Sequence, residues 1–89
     1  MTVWIDVRAA DEYAAGHING AILIPYEEIA DKIGLFNFSK KEDIRVYCRT
    51  GRRSGIAKDV LDNLGYATVI NEGGYEELLQ RKALGQPIP

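Results

Sequence analysis

The sequence predicts an α/β fold in which a small parallel sheet of four to five strands carries helices on both faces. Two observations favour this class. The short strand-like segments are apolar along their length, which is typical of strands buried on both faces. They alternate along the chain with segments of helical periodicity, as in βαβ units. With 89 residues, the chain is expected to form one domain, 1–89, with a loose tail from about residue 84.

The first half of the chain predicts two strands and two helices. Residues 3–6 form a short apolar strand, and a short helix follows over residues 11–15, which Gly16 can end. Residues 21–24 form a second buried strand that stops at Pro25. Residues 27–33 are expected to be helical, because two isoleucines four positions apart form an apolar stripe on one face.

The second half repeats the alternation after a polar loop. Residues 45–48 form the third strand, and residues 56–64 form a helix whose apolar residues fall on one face, with Gly65 beyond its end. Residues 67–70 form the fourth strand. A last helix is expected from Tyr75 to about Arg81, after the turn at Gly73 and Gly74.

The only cysteine of the chain, Cys48, stands where the third strand ends and the next helix approaches. Ligands of open parallel sheets bind beyond the carboxyl ends of the strands, so Cys48 is expected at such a crevice. Three arginines and no acidic residue follow it within five positions. Positive charge and a helix N-terminus both favour a thiolate, the reactive form of cysteine. The segment therefore predicts a cysteine nucleophile that acts on an anionic substrate.

Composition and charge exclude several classes of function. The net charge is −2, so no global basic field attracts nucleic acid. One cysteine excludes an intrachain disulfide, and with a single histidine, His17, the supply of zinc ligands is poor. No apolar run approaches the ~18 residues needed to span a membrane. We therefore expect a small-molecule site without metal or organic cofactor, and no nucleic-acid or membrane partner.

Motifs spread over most of the chain share one resemblance. They are Ile5-Asp6-Val7-Arg8, Glu12-Tyr13, Gly16-His17-Ile18-Asn19-Gly20-Ala21, Ile24-Pro25, the run from Val46 to Ser54, Gly65-Tyr66 and Gly73-Gly74-Tyr75. In this order they resemble the rhodanese family of sulfurtransferases, over roughly residues 3–79. The single-domain length is most similar to the phage-shock protein E type, a periplasmic branch of that family. A periplasmic location is thus expected if a signal peptide has been removed, and a cytoplasmic one otherwise.

This resemblance implies a thiosulfate sulfurtransferase. Cys48 would take a sulfane sulfur from thiosulfate as a persulfide and pass it to cyanide or a thiol, without a cofactor and as a monomer. The loop residues that would bind the anionic donor are Arg49, Thr50, Gly51, Arg52 and Arg53. An arginine at position 49, where mercaptopyruvate-specific relatives have glycine, favours thiosulfate. Loop N–H groups would cradle the sulfur, and Thr50 and Ser54 would add hydroxyl donors.

Two other functions are consistent with a cysteine in a basic loop. Tyrosine phosphatases and arsenate reductases place an arginine after five residues, whereas here Arg53 comes one position earlier and Ser54 occupies that place. Sharing a fold with phosphatases is only an analogy. The second alternative is a module that binds partners or carries the persulfide to one protein without free turnover.

Four further polar residues have structural interpretations. Asp6, Arg8 and Glu12 are expected to form an internal ion pair and loop anchor rather than an acid–base set, which would need to lie within hydrogen-bond reach of the substrate. His17 is expected to be a hydrogen-bonding structural residue, because a thiolate nucleophile needs no separate base.

Overall fold

A computed structural model describes all residues, 1–89, as a four-stranded parallel sheet with helices between the strands. The sheet order is β2-β1-β3-β4. The strands are β1 (Thr2–Asp6), β2 (Ile22–Leu23), β3 (Asp43–Cys48) and β4 (Thr68–Gly74). The helices are α1 (Ala10–Ala15), α2 (Ile29–Lys32), α3 (Arg52–Asn63) and α4 (Tyr75–Ala83), with 3₁₀ turns at Tyr26–Glu28 and Ile33–Phe36 on either side of α2.

The two faces of the sheet pack against different helices. Alternate residues of a strand point to opposite faces, so Val46 and Cys48 enter one core and Tyr47 enters the other. The larger core has 13 buried residues and includes α2 and α3, while the smaller one includes Leu78 of α4. This arrangement confirms the predicted parallel sheet with helices on both faces, and the sheet has the lower of the predicted strand numbers.

Element boundaries differ from the prediction where apolar periodicity is absent. Helix α3 begins at Arg52, whereas the apolar pattern begins at Ile56. Gly51 has φ of +94°, which turns the chain directly from the loop into a polar first helical turn. Strand β4 continues to Gly74, past the apolar residues that predicted it.

Two other predicted segments are shorter or more irregular than expected. The helix expected over residues 27–33 is a single α-helical turn between two 3₁₀ turns. The second strand is only two residues long. Residues 84–89 form no helix or strand, although Ile88 packs against the smaller core. No helix combines the length and the apolar character that crossing a membrane would require.

Candidate active site

Cys48 is the last residue of β3 and lies at the carboxyl edge of the sheet, as its position in the sequence predicts. Its exposure is 0%, so the thiol lies beneath the loop that leads to α3. The pairing of β3 with β4 shifts register between Val46 and Cys48, which sets Cys48 opposite Gly74. The nucleophile predicted from the sequence is therefore held between a short loop and the end of the neighbouring strand.

The loop surrounds the sulfur with hydrogen-bond donors. The N–H of Gly51 lies 3.0 Å from Cys48 Sγ, and the Ser54 hydroxyl oxygen lies 3.4 Å from it. Backbone N–H groups aimed at one point form an anion-binding concavity. The beginning of α3 adds the positive end of its helix dipole. This cradle suits a sulfur atom that carries negative charge.

The ionisation of Cys48 reflects a balance between burial and hydrogen bonding. Burial raises the pKa of the thiol, but it is outweighed by the Ser54 hydroxyl and by the backbone N–H groups of Ser54, Thr50 and Gly51, so the pKa lies below its ordinary value. The direction agrees with the sequence prediction. The cause differs, because hydrogen bonds rather than arginine charge account for most of the lowering.

The three arginines of the loop have three different environments. Arg53 donates from both terminal nitrogens to Glu12 of α1, at 2.8 and 3.0 Å. Arg52 is exposed at the start of α3. Arg49 is exposed as well and lines a cleft of about 400 Å³. The structure thus separates the three arginines, and the binding roles predicted for Arg49, Arg52 and Arg53 remain predictions.

Glu12 is a site residue whose partner the sequence did not reveal. Its bidentate bond with Arg53, which outweighs the opposing effect of burial, lowers the pKa of the carboxyl to about 2. One of its oxygens also accepts the N–H of Ala9 at the start of α1. The pair is separated by 41 residues in the chain, and no local pattern predicts it.

Asn71 of β4 joins the cysteine loop to the end of the sheet. Its Nδ2 donates to the Gly51 carbonyl at 2.9 Å, and its Oδ1 accepts from the Gly73 N–H at 3.0 Å. The Ser54 hydroxyl lies 2.7 Å from the same Oδ1. Asn71 therefore contacts both residues that donate to the sulfur. The sequence predicts that Asn71 lies at the carboxyl end of a strand, on the same edge as Cys48, but it indicates no role for it, since an asparagine after a strand is typical of a turn.

Gly74 allows β4 to approach the cysteine loop closely. A Cβ built on Gly74 would lie 3.1 Å from the carbonyl carbon of Arg49, closer still to its oxygen, and 3.0 Å from Glu77 Oε1. Its backbone angles, φ −103° and ψ 151°, suit any residue, so space alone selects glycine here. The Gly-Gly pair that resembled a family motif thus packs against the loop that carries Cys48.

The residues next to Cys48 on the opposite face form a buried polar anchor. The Arg8 guanidinium bonds to Asp6 at 2.7–3.1 Å, donates to the Gly16 carbonyl and lies over the Tyr75 ring. The Tyr47 hydroxyl donates to Asp6 at 2.9 Å. The expected internal pair of Asp6 and Arg8 is present, but Glu12 is bonded to α3 instead. The anchor fixes the backbone immediately before the nucleophile.

His17 occupies a peripheral position. Its ring stacks on Tyr13 with the centroids 3.6 Å apart, and its Nδ1 donates to the Tyr13 carbonyl at 2.8 Å. No three groups among the histidine, cysteine and carboxylate side chains lie close enough together to hold a metal ion. The contacts of His17 are those of the structural role that the sequence predicted.

The geometry supports nucleophilic chemistry at a single sulfur. Cys48 combines a lowered pKa with surrounding N–H donors, and the next residue, Arg49, lines the neighbouring cleft. Covalent catalysis by cysteine needs a stabilised thiolate and a place for the negative charge of the reacting group. Both are present at this edge of the sheet.

Comparison with known proteins gives one consistent result. The family model of the rhodanese-like domain matches residues 1–81. The thiosulfate sulfurtransferase PspE of Escherichia coli is 40% identical over 82 residues, which cover 92% of this chain and 79% of that protein. A putative mitochondrial thiosulfate sulfurtransferase of Schizosaccharomyces pombe is 38% identical, and the match covers 82% of this chain and 59% of that protein.

Solved structures agree with this result. A rhodanese with anions from E. coli superposes with a TM-score of 0.81 at 37% identity, covering 100% of this chain and 98% of that one. The human single-domain sulfurtransferase TSTD1 superposes with a TM-score of 0.80 at 28% identity, covering 90% of this chain and 82% of that one. The fold described above is thus shared with sulfurtransferases.

Proposed function

This chain belongs to the family of rhodanese-like domains, and we propose that it is a thiosulfate sulfurtransferase that carries the transferred sulfur on Cys48. The observation that carries the proposal is a buried thiol of lowered pKa whose sulfur lies within hydrogen-bond reach of the Gly51 N–H and the Ser54 hydroxyl. The similarity to PspE, a thiosulfate sulfurtransferase by name, supports the same donor.

The first half of the cycle forms a persulfide. The Cys48 thiolate attacks the outer sulfur of thiosulfate, a new S–S bond forms, and the old S–S bond breaks as sulfite leaves with its electron pair. The negative charge moves from Sγ to the terminal sulfur, where loop N–H groups can stabilise it. Arg49, which lines the neighbouring cleft, would attract both the dianionic donor and the departing sulfite.

The second half returns the enzyme to its thiolate form. An acceptor, cyanide or a thiolate, attacks the terminal sulfur, and the S–S bond to Cys48 breaks with its electrons remaining on Sγ. The same N–H donors then stabilise the returning thiolate. Since Cys48 is buried, a slender donor or acceptor is favoured over a bulky one.

Intact-mass measurement tests the covalent intermediate. The protein, incubated with thiosulfate and freed of small molecules, should gain the mass of one sulfur atom and lose it on addition of cyanide. Cys48→Ser is the matched control, because it changes the reacting atom while the buried position remains filled. Absence of the gain, or an equal gain in the serine variant, would contradict the proposal. A gain that passes to one protein but not to cyanide would indicate the persulfide carrier instead.

The structure gives no support to phosphatase chemistry. The position that phosphatases give to arginine is Ser54, which lies against the sulfur, and Arg53 is bonded to Glu12. We therefore expect the wild type to hydrolyse an aryl phosphate far more slowly than it transfers sulfur from thiosulfate to cyanide. Faster hydrolysis than sulfur transfer would overturn the assignment.

A further inference from the structure

The Ser54 hydroxyl lies between two acceptors but has one proton. Its oxygen is 2.7 Å from Asn71 Oδ1 and 3.4 Å from Cys48 Sγ. An amide oxygen has no hydrogen, so the 2.7 Å contact requires that the hydroxyl proton lie between Ser54 and Asn71. In that state Ser54 donates nothing to the sulfur and can instead accept the S–H of Cys48.

The orientation of the Asn71 amide is determined by its other partners. Nδ2 faces the Gly51 carbonyl, which only accepts, and Oδ1 faces the Gly73 N–H, which only donates. Exchanging the amide nitrogen and oxygen would break both bonds. Oδ1 is therefore directed at Ser54 and competes with Cys48 for its proton.

We propose that Asn71 is a positioning residue that holds the Ser54 proton while Cys48 is a neutral thiol and releases it to Sγ when the sulfur ionises. The inference rests on the proposed function, in which Sγ is charged before attack and neutral in the persulfide. The hydroxyl would turn to Sγ for the attack and return to Asn71 once the charge has moved to the terminal sulfur. Asn71 thus ensures that the Ser54 hydroxyl donates to Sγ only while Sγ carries the negative charge.

Competition for the Ser54 proton and simple bracing of the loop predict opposite changes in the Cys48 pKa when Asn71 is removed. If Asn71 only braced the loop, its removal would raise the Cys48 pKa, because the donors around Sγ would loosen. If it withholds the proton, its removal frees the hydroxyl for the thiolate and lowers the Cys48 pKa. That lowering requires the hydroxyl of Ser54 and disappears without it.

The other charged groups near Sγ are the same in the variants of Ser54 and Asn71 that test this proposal. The titratable groups around the site lie on every element packed against it: Arg8 after β1, Glu12 of α1, Tyr26, Arg49 of the loop, Arg52 and Arg53 of α3, and Glu76 and Glu77 of α4. Glu72 of β4 is bonded to Arg45 and Arg81 instead. A double-mutant cycle on Ser54 and Asn71 leaves all of these groups in place, so their contribution cancels.

The experiment measures the Cys48 pKa from thiolate absorbance and alkylation rate against pH in the wild type, N71A, S54A and the double variant. We expect S54A to raise the pKa. The change in pKa caused by N71A should be more negative when the Ser54 hydroxyl is present than in the S54A background, by about 0.5 to 1, which is a three- to tenfold change in the acid dissociation constant of the thiol. Equal shifts in the two backgrounds, or a difference of opposite sign, would refute the proposal. No sulfur donor is used, so failure would leave the sulfurtransferase assignment intact.

A second measurement needs no change at Asn71. When the hydroxyl leaves Oδ1, the Gly73 N–H becomes the only protein donor to that oxygen. The Gly73 amide proton should then move downfield in NMR spectra with the same midpoint as Cys48 ionisation. Part of any movement comes from the thiolate charge itself and persists in S54A. The pH-dependent change in the Gly73 amide shift should therefore be smaller in S54A than in the wild type, and an unchanged amplitude would refute the inference.

Discussion

Replacing Gly74 with alanine tests the close approach of β4 to the cysteine loop. The added Cβ would lie 3.1 Å from the Arg49 carbonyl carbon and closer to its oxygen. Carbon atoms prefer separations of about 3.5–4.0 Å, so the loop or the strand end must move by roughly 0.5–1 Å. The backbone angles at Gly74 suit alanine, and the effect is therefore purely one of space.

We expect G74A to lower both the stability of the fold and the rate of sulfur transfer. Forcing extra volume into a packed site costs about 1–3 kcal/mol. For a domain of this size that loss lowers the melting temperature by roughly 4–8 °C per kcal/mol. A displacement near 1 Å at a reacting group can reduce catalysis on the order of a hundredfold, and because the loop carries the donors to Sγ we expect at least a tenfold loss.

Thermal melting and thiosulfate:cyanide turnover measure the two effects. Gly34→Ala is the matched control, because a Cβ there meets nothing within 4 Å and Gly34 has no left-handed φ. It should leave turnover unchanged and stability equal or slightly higher. A G74A protein with wild-type melting temperature and turnover would show that the contact with the Arg49 carbonyl does not position the loop.

Two further predictions concern the anchors on either side of Cys48. The Glu12 carboxyl has its pKa lowered to about 2, so its bond stabilises the fold above its ordinary pKa and is lost as pH falls from about 4.5 to 2. E12Q should lose about 1 kcal/mol at neutral pH, with a smaller further loss in acid, whereas the exposed control E27Q should melt like the wild type at every pH. Y47F leaves the buried Ile18 N–H without its acceptor and should cost about 1–3 kcal/mol in urea unfolding. The control Y66F should cost less, and equal losses would contradict the assigned role of the Tyr47 hydroxyl.

Hydrophobic periodicity along the sequence was enough to predict the fold class and the edge of the sheet at which the site lies. Uniformly apolar strands and amphipathic helices indicated the class, and the position of Cys48 after a strand indicated the crevice. The start of α3 was placed too late, because its first turn is polar and is set by the left-handed Gly51. The end of β4 was placed too early for a similar reason, since its last four residues are polar or glycine although they pair with the end of β3.

Long-range partners account for most of what the sequence could not predict at the site. The charges near Cys48 in the sequence suggested three unpaired arginines, yet Arg53 bonds to Glu12, which lies 41 positions before it in the chain. Asn71 is 17 positions from Ser54, and its role depends on a hydroxyl that has two acceptors within reach. Such pairings depend on how distant segments pack in the fold, and they produce no periodicity in a single sequence from which they could be predicted.

If Cys48 carries a persulfide, as we propose, the absence of a second thiol affects how long that persulfide lasts. A persulfide beside a second thiol is short-lived, because the neighbour can attack, form a disulfide and expel hydrosulfide. Cys48 is the only cysteine and is fully buried, so no resolving partner exists within the chain and collision with another protein's thiol is hindered. We therefore expect the loaded protein to be a durable reservoir, whose discharge is timed by the arrival of an acceptor slender enough to enter.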